Sequence, residues 1–238
     1  MYRTFGVLLL ATLACQVQAR VDPVQAARLG AELTPLGAER AANSEGSIPE
    51  WAGGVKPPAN YQPGMHHPDP YADDTVLYRV SAANIEQYRA SLPEGMVDLL
   101  QRNPHYHLQV YPTRRSAAAP QRIYDATRRN AVEAELIANG NGIAGAVAGI
   151  PFPIPQNGME VIWNHMLHYK GEQTRIINNQ AVVINGRSNL IKRDRYVYYI
   201  YNREGMTPEL MDNTLLYYRY QITAPAKLSG TALVVQDP

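Results

Sequence analysis

The density of proline in the first third of the chain restricts its fold more than any other feature of the sequence. Eight of the 18 prolines fall between residues 20 and 78, at positions 23, 35, 49, 57, 58, 63, 68 and 70. Each proline removes a backbone donor and fixes φ, so this stretch excludes long helices and central strands. Trp51, Tyr61, Met65 and Tyr71 are spaced along it, and such side chains gain by docking on another surface. We therefore predict that residues 20–80 form an extended arm that lies on a folded body.

The first 19 residues have the pattern of a secretory signal peptide. Arg3 is followed by an apolar run from Phe5 to Ala14 and then by small residues, and cleavage after Ala19 would fit the small-x-small pattern. The apolar run is too short to span a bilayer, and no later stretch reaches about 20 apolar residues. We therefore expect export of the chain and no transmembrane helix in the mature protein.

Cys15 leaves a second interpretation of this segment open. The run Leu13-Ala14-Cys15 resembles the end of a bacterial lipobox, although Thr12 stands where that pattern prefers leucine. Acylation of Cys15 would hold the protein at a membrane surface. Because Cys15 is the single cysteine, an intramolecular disulfide framework and cysteine-rich metal sites are excluded.

The charge composition argues against a nucleic-acid partner. The 22 basic residues are balanced by 21 acidic ones, so the broadly basic surface expected for such a partner is missing. Apolar residues make up 45% of the chain, which fits a globular protein. The aromatic residues are 16 Tyr, 2 Phe and 2 Trp. A buried tyrosine needs a partner for its hydroxyl, so this excess of tyrosine over phenylalanine and tryptophan indicates half-buried surfaces such as the walls of a sheet or groove.

Helical periodicity begins at Ser81, after the proline-rich stretch. Ile85, Tyr88 and Leu92 recur at helical spacing, and Pro93 separates them from a second short helix. The remaining expectations up to Gly171 are a helix over 94–102, a strand over 105–111, a helix over 120–139, a packed loop over 142–155 and a helix over 157–168.

After Gly171 the sequence changes to strand patterns. Segments 174–185, 190–201, 215–223 and 228–236 are separated by short turns, which favours an antiparallel meander. The predicted fold class is therefore α+β, with one domain over 81–238 made of a helical part, 81–170, and a meander, 171–238. The last strand would leave an unpaired edge, so either a partner protects it or the chain is a fragment of a longer sheet.

Histidines provide the pattern closest to a metal site. All six occur in three close pairs, namely His66 with His67, His105 with His107, and His165 with His168. Residues two apart on a strand or three apart on a helix share a face, so the last two pairs could each present two imidazoles to one metal. This spacing is common, and neither HExxH nor GxSxG is present. We therefore predict no metal, no cofactor, no catalytic residue and no enzyme activity, with a metal-dependent hydrolase using the paired histidines as the alternative.

Several phrases together are more specific than any single motif. They are LTPLGAE at 33–39, GSIPEWAGG at 46–54, VYPTRR at 110–115 and GIPFPIPQNG at 149–158, the last leading to Trp163-Asn164-His165. The chain thereby resembles the DUF1329 family of exported proteobacterial proteins, which are typically longer. That family is similar to the lipoprotein carriers of the Lol system, in which a curved antiparallel sheet wraps a hydrophobic cavity lidded by helices. The resemblance implies a partial half-barrel of this kind and a place in the periplasm or at the periplasmic face of the outer membrane.

The resemblance also implies a lipid or another hydrophobic small molecule as ligand, often beside a transporter of the resistance-nodulation-division class. Burial of an acyl chain contributes about 0.8 kcal/mol per methylene, so an apolar groove holds a lipid without catalytic groups. We expect the groove between the meander and residues 143–166. The predicted lining residues are Ile150, Phe152, Ile154, Trp163, Tyr196, Tyr198, Leu215 and Tyr217. A structural partner of an envelope complex, using the arm and the free sheet edge, is a further alternative.

Overall fold

The structure is a computed structural model that describes residues 21–184, 186–211 and 214–236. The predicted signal peptide and Cys15 lie outside these residues. The described chain divides into two compact units, one made of the residues up to Ala38 together with those from Pro120 onward, the other of Glu39–Ala119. These unit boundaries differ from the domain boundary that the sequence predicts at residue 80. That domain boundary stays a prediction.

The unit Glu39–Ala119 contains a two-stranded sheet and two short helices. Strand β1, Tyr78–Ser81, pairs antiparallel with β2, His107–Val110. Between them lie a 3-10 helix, Ile85–Ser91, and helix α2, Glu94–Arg102. The 3-10 helix ends at Ser91 because Pro93 favours an extended conformation for the residue before it, Leu92. The apolar side chains of these elements form a small core of Val80, Ile85, Val97 and Leu100.

Much of the proline-rich segment of this unit is held by backbone and side-chain hydrogen bonds instead of regular structure. The Arg115 guanidinium donates to the carbonyls of Glu39 and Arg40. The indole Nε1 of Trp51 donates to the Ala117 carbonyl at 2.8 Å. These bonds fix the segment against residues 115–117, which precede the larger unit.

The larger unit combines three helices, a small hairpin and a four-stranded sheet. In chain order its elements are α1 Pro23–Ala26, α3 Gln121–Glu133, β3 Glu135–Ile137, β4 Gly142–Ala144, α4 Gly158–Leu167, β5 Gln173–Ile184, β6 Arg187–Tyr199, β7 Leu216–Ala224 and β8 Gly230–Gln236. The predicted helices at 120–139 and 157–168 are confirmed, with α3 ending earlier, at Glu133.

The loop between β4 and α4 is packed, as predicted, and α3 holds it. Asn130 Nδ2 donates to the carbonyls of Ala148, at 2.8 Å, and Ile150, at 3.2 Å. Thr127 Oγ1 accepts from the Ile150 N–H at 3.1 Å. Gly149 has φ +64°, and a Cβ there would lie 2.3 Å from Thr127 Oγ1, so the close approach of loop and helix requires glycine.

The predicted antiparallel meander is confirmed. Strands β5, β6, β7 and β8 pair in sequence order into a curved sheet that is not closed into a barrel. A register shift between Lys192 and Arg193 marks an irregularity where β6 meets β7. The fold is therefore α+β, in agreement with the predicted class.

Strand alternation gives the sheet two unlike faces. What we call the Val197 face carries Thr174, Ile176, Asn178, Gln180, Ile191, Arg193, Arg195, Val197, Tyr199, Leu216, Tyr218, Tyr220, Ile222, Ala232 and Val234. What we call the Tyr196 face carries Gln173, Arg175, Ile177, Asn179, Ala181, Leu190, Lys192, Asp194, Tyr196, Tyr198, Tyr217, Arg219, Gln221, Thr231 and Leu233. Most side chains of the Val197 face are buried or half-buried, with Asn178, Gln180 and Ala232 exposed, whereas most of those on the Tyr196 face are exposed.

Candidate functional site

The largest apolar cluster lies where helix α4 meets the end of the sheet. Its buried members are Ala134, Ala146, Phe152, Trp163, Leu167, Tyr201 and Leu215. Helix α4 begins at this place because Asn157 caps it, with Oδ1 accepting from the N–H groups of Met159 and Glu160. The helix then turns Trp163 and Leu167 toward the cluster.

A pocket opens beside this cluster, at one end of the Val197 face. Its enclosed volume is about 20 Å³, and the open space at its mouth brings the total to about 320 Å³. Its wall consists of Met166, Leu167, His168, Tyr199, Tyr201, Asn202, Leu215 and Leu216. Tyr199 and Leu216 belong to the Val197 face, so the apolar sheet surface leads into the pocket.

Three buried polar atoms at this end of the sheet have no hydrogen-bond partner among the described residues. They are the Thr174 Oγ1, the Tyr201 hydroxyl and the Asn202 Oδ1. Burial raises the pKa of Tyr201, outweighing the opposite influence of the Arg129 charge, so its hydroxyl stays neutral. Unpartnered buried polar atoms are uncommon, and two of these three belong to residues of the pocket wall.

Helix α4 is apolar on its outer side as well as its inner side. Met159, Val161, Ile162 and Met166 are exposed, at 39%, 53%, 52% and 41%. A helix that is apolar around most of its circumference is usually buried. The exposed side therefore extends the apolar surface beyond the pocket, which Met166 also lines.

Glu160 is the one acidic side chain among the fully buried residues of the described chain. Its carboxylate accepts from the Gln156 N–H and from Asn157 Nδ2, both at 2.6 Å. Burial raises the pKa of Glu160, and these two hydrogen bonds oppose that shift without cancelling it. The carboxyl closes the capping arrangement at the start of α4 and has a structural position, away from the pocket wall.

The pKa of Glu160 predicts a pH-dependent stability. Because the pKa is raised in the folded protein, the folded state binds more protons than the unfolded state above the ordinary value of 4.5. We expect the free energy of unfolding to fall as the pH rises from below 4.5 through the raised pKa, relative to Glu160→Gln, which cannot titrate there. Urea denaturation of both proteins across this range measures the effect, and a constant difference between them would contradict it.

The eight predicted groove residues do not come together in one groove. Phe152, Trp163 and Leu215 lie in the buried cluster under α4, and Leu215 also lines the pocket. Ile154 packs against a separate cluster that includes Leu29. Ile150 is half-buried in the loop held by α3.

The three predicted tyrosines share a face, and it is not the face that reaches the pocket. Tyr196, Tyr198 and Tyr217 all lie on the Tyr196 face. The guanidinium carbon of Arg219 lies 4.4 Å from the centre of the Tyr196 ring and that of Arg175 lies 5.0 Å from it. Whether any of the predicted residues contacts a ligand stays a prediction.

Sequence reasoning missed most of the pocket wall. Met166, His168, Tyr199, Asn202 and Leu216 line it without having been predicted. Two of them, Tyr199 and Leu216, are next to predicted residues in the sequence. A one-residue change in the phase of the strand alternation would have found these two.

The histidine pairs do not assemble a metal site in the described chain. His165 and His168 have ring centres 5.8 Å apart. Within the described ranges, no group of three or more His, Cys, Asp or Glu side chains is placed to hold a metal ion. Among the same residues, no helix has the length and apolar character needed to cross a membrane.

Comparison with known proteins identifies a relative and a family. The chain is 40% identical over 235 residues to an uncharacterized protein of Pseudomonas aeruginosa, and the match covers 98% of this chain and 52% of the relative. The chain thus spans about half the length of the curated relative that it matches. No solved structure matches it. The model of a family described as a protein of unknown function, DUF1329, matches residues 79–238, and the chain therefore belongs to the DUF1329 family.

Proposed function

We propose that the chain is a non-enzymatic envelope protein that binds a lipid or another hydrophobic molecule. The binding surface would be the Val197 face of the sheet together with the pocket at its end. This proposal moves the predicted groove from the Tyr196 face to the opposite face of the same strands, and it keeps Leu215 as a lining residue.

The observation that carries the proposal is an apolar sheet face that leads into a pocket, because Tyr199 and Leu216 of this face are part of the pocket wall. Side chains such as Tyr218 and Ile222 are only half-buried there. A contiguous apolar surface of this kind is typical of a binding site.

The size of the surface fits an elongated ligand better than a compact one. The enclosed part of the pocket is about 20 Å³, which is room for about one water molecule, so most of a ligand would lie along the face. An acyl chain whose end enters the pocket would continue along the face past Leu216 and Tyr218. Each methylene that it buries contributes about 0.8 kcal/mol before the costs of association.

The cellular setting belongs to the same proposal. The signal-peptide pattern supports export, and the resemblance to carriers of the Lol system supports the periplasm or the periplasmic face of the outer membrane as the place of action. The exposed outer side of α4 supports contact with another envelope component, for which a transporter of the resistance-nodulation-division class is the proposed partner.

A carboxylate introduced on the Val197 face tests the proposal. We expect Tyr218→Asp to weaken binding of the neutral fluorescent probe 1-N-phenylnaphthylamine by about tenfold or more, because a charge would be buried against the apolar ligand. Gln221→Asp is the matched control, since it places the same carboxylate on the same strand but on the Tyr196 face. Fluorescence titration gives the affinities, and circular dichroism checks that both variants fold.

Two results would overturn the proposal. One is a wild-type protein that does not bind the probe. The other is equal loss of binding in Tyr218→Asp and Gln221→Asp, which would show that binding depends no more on the Val197 face than on the Tyr196 face.

A further inference from the structure

Arg122 connects helix α3 to the wall of the pocket. Its Nη1 donates to the Asn202 carbonyl at 3.1 Å, and its Nη2 donates to the Glu172 carboxylate at 2.6 Å. Its guanidinium carbon also lies 5.6 Å from the centre of the Tyr169 ring. A guanidinium holds two acceptors in fixed directions because its donors lie in one plane. Arg122 therefore fixes Asn202, a wall residue, relative to Glu172, the residue before β5.

The Glu172 branch of this contact also ends at the pocket wall. The Tyr199 N–H donates to the Glu172 carbonyl at 2.8 Å, and Tyr199 is the last residue of β6 and a wall residue. Residues 199–202, which we call the wall segment, contribute Tyr199, Tyr201 and Asn202 to the pocket. Arg122 thus acts on both ends of the wall segment, directly at Asn202 and through Glu172 at Tyr199.

The middle of the wall segment is held by backbone hydrogen bonds. The Tyr201 N–H donates to the Leu215 carbonyl at 3.2 Å, and the Tyr201 carbonyl accepts from the Ala148 N–H at 2.9 Å. Neither bond involves Arg122. Loss of the guanidinium should therefore shift the ends of the wall segment and leave it attached at Tyr201.

The pocket is small enough for such a shift to matter. Its enclosed volume is about 20 Å³. Packed protein interiors respond to a change of a single methylene group. A small displacement of Tyr199 or Asn202 would therefore change a large fraction of the enclosed space.

We propose that Arg122 is a positioning residue of the pocket: together with Glu172 it fixes the two ends of the wall segment and thereby the shape of the space that receives the ligand. The inference rests on the function proposed above. It names a residue that acts on the ligand only through Tyr199 and Asn202, because Arg122 itself is not a residue of the pocket wall.

Replacement of the guanidinium in the full chain tests this role. We expect Arg122→Gln to weaken binding of 1-N-phenylnaphthylamine by about fivefold, because the wall loses a charge-assisted hydrogen bond at Asn202 and its link to Glu172. Arg122→Lys should recover a part of the affinity, since an ammonium can pair with Glu172 but does not offer the same planar donors. Fluorescence titration gives the affinities, and circular dichroism checks folding.

The same helix provides a matched control in Arg128. Its Nη2 donates to the Leu29 carbonyl at 2.9 Å, and Leu29 is not a residue of the pocket wall. Arg128→Gln thus removes a bond from an α3 arginine to a backbone carbonyl without touching the wall. We expect its affinity for the probe to stay within about twofold of the wild-type value.

Amide hydrogen exchange reports the position of the wall segment independently of binding. In Arg122→Gln the exchange rate should rise at Tyr199, whose N–H donates to Glu172, and change less at Tyr201, whose N–H donates to Leu215. In Arg128→Gln neither rate should change. A uniform loss of stability would raise both rates together, so this difference separates positioning from a general structural role.

Glu172→Gln completes the set and replaces Arg122→Gln if that variant does not fold. It should weaken probe binding by a smaller factor, because the amide oxygen still accepts from Arg122. The double variant should bind no more weakly than Arg122→Gln alone, since both changes act through one contact.

The outcomes separate the two proposals. Wild-type affinity in both Arg122→Gln and Glu172→Gln, or equal weakening in Arg122→Gln and Arg128→Gln, would overturn the positioning role and leave the hydrophobic site standing. Additive effects in the double variant would overturn the joint action of Arg122 and Glu172. A wild-type protein that does not bind the probe would overturn the proposed function itself.

Discussion

Replacement of Trp163 by alanine is expected to lower the free energy of unfolding by about 4 kcal/mol, the usual cost of removing a large aromatic ring from a core. The Trp163 side chain is 5% exposed and lies in the cluster that joins α4 to the end of the sheet. Its indole Nε1 also donates to the Gly140 carbonyl at 2.9 Å, inside the protein. Urea denaturation followed by far-ultraviolet circular dichroism measures the loss, because that signal does not depend on the tryptophan itself.

The chain offers a matched control for this substitution in Trp51. The Trp51 indole makes the same kind of bond, to the Ala117 carbonyl at 2.8 Å, but its side chain is only half-buried. We expect Trp51→Ala to cost about 1 to 2 kcal/mol, because less apolar area is lost to water. A Trp163→Ala protein as stable as the wild type, yet unable to bind 1-N-phenylnaphthylamine, would assign Trp163 to the ligand surface instead of the core.

Strand positions were predictable from the sequence, but the phase of their alternation was not. In the run Arg195-Tyr196-Val197-Tyr198, both faces receive an aromatic or apolar side chain. Arginine occurs on both faces too, at Arg195 and Arg219. A pattern of period 2 fixes a face only when apolar and polar residues alternate, so the sequence did not show which face of this sheet is the more apolar one.

The pocket could not be predicted because it is made by contacts between segments far apart in the sequence. Met166 lies in the last turn of a helix, Asn202 ends a 3-10 turn and Leu215 precedes a strand. Each of these local structures follows from local signals such as capping and turn residues. Their meeting depends on how α4 packs against the end of β6, and a single sequence carries no signal for that packing.

The same limit applies to the polar residues of the interior. The sequence predicts that residues 120–139 are helical, and α3 confirms most of that range. It does not indicate that Asn130, within a polar run, would be buried and would hold a loop 18 residues away. An asparagine in a run that contains arginines is usually assigned to solvent, whereas Asn130 lies on the buried side of α3 with Ile123 and Ala126 and hydrogen-bonds to the loop.

Asn130→Ala is expected to lower the free energy of unfolding by about 3 kcal/mol. Its Nδ2 donates to the carbonyls of Ala148 and Ile150, and the substitution would leave both without that donor in a buried loop. Each buried polar group that loses its partner costs about 1 to 3 kcal/mol. The Asn130 Oδ1 has no partner among the described residues, and its removal offsets a part of that cost. Urea denaturation gives the change in stability.

The Ala148 N–H donates to the Tyr201 carbonyl at 2.9 Å. Loss of the hydrogen bonds between the loop and α3 should therefore also disturb the pocket wall. We therefore expect amide hydrogen exchange at Ala148 and at Ile150 to rise more in Asn130→Ala than in Asn141→Ala, which removes an exposed amide from the same unit. Tyr201 is a wall residue of the pocket, so the variant should bind 1-N-phenylnaphthylamine more weakly even where it remains folded. Unchanged amide exchange in the loop would contradict the role given to Asn130, because it would mean that Gly149 and Thr127 hold the loop on α3 without it.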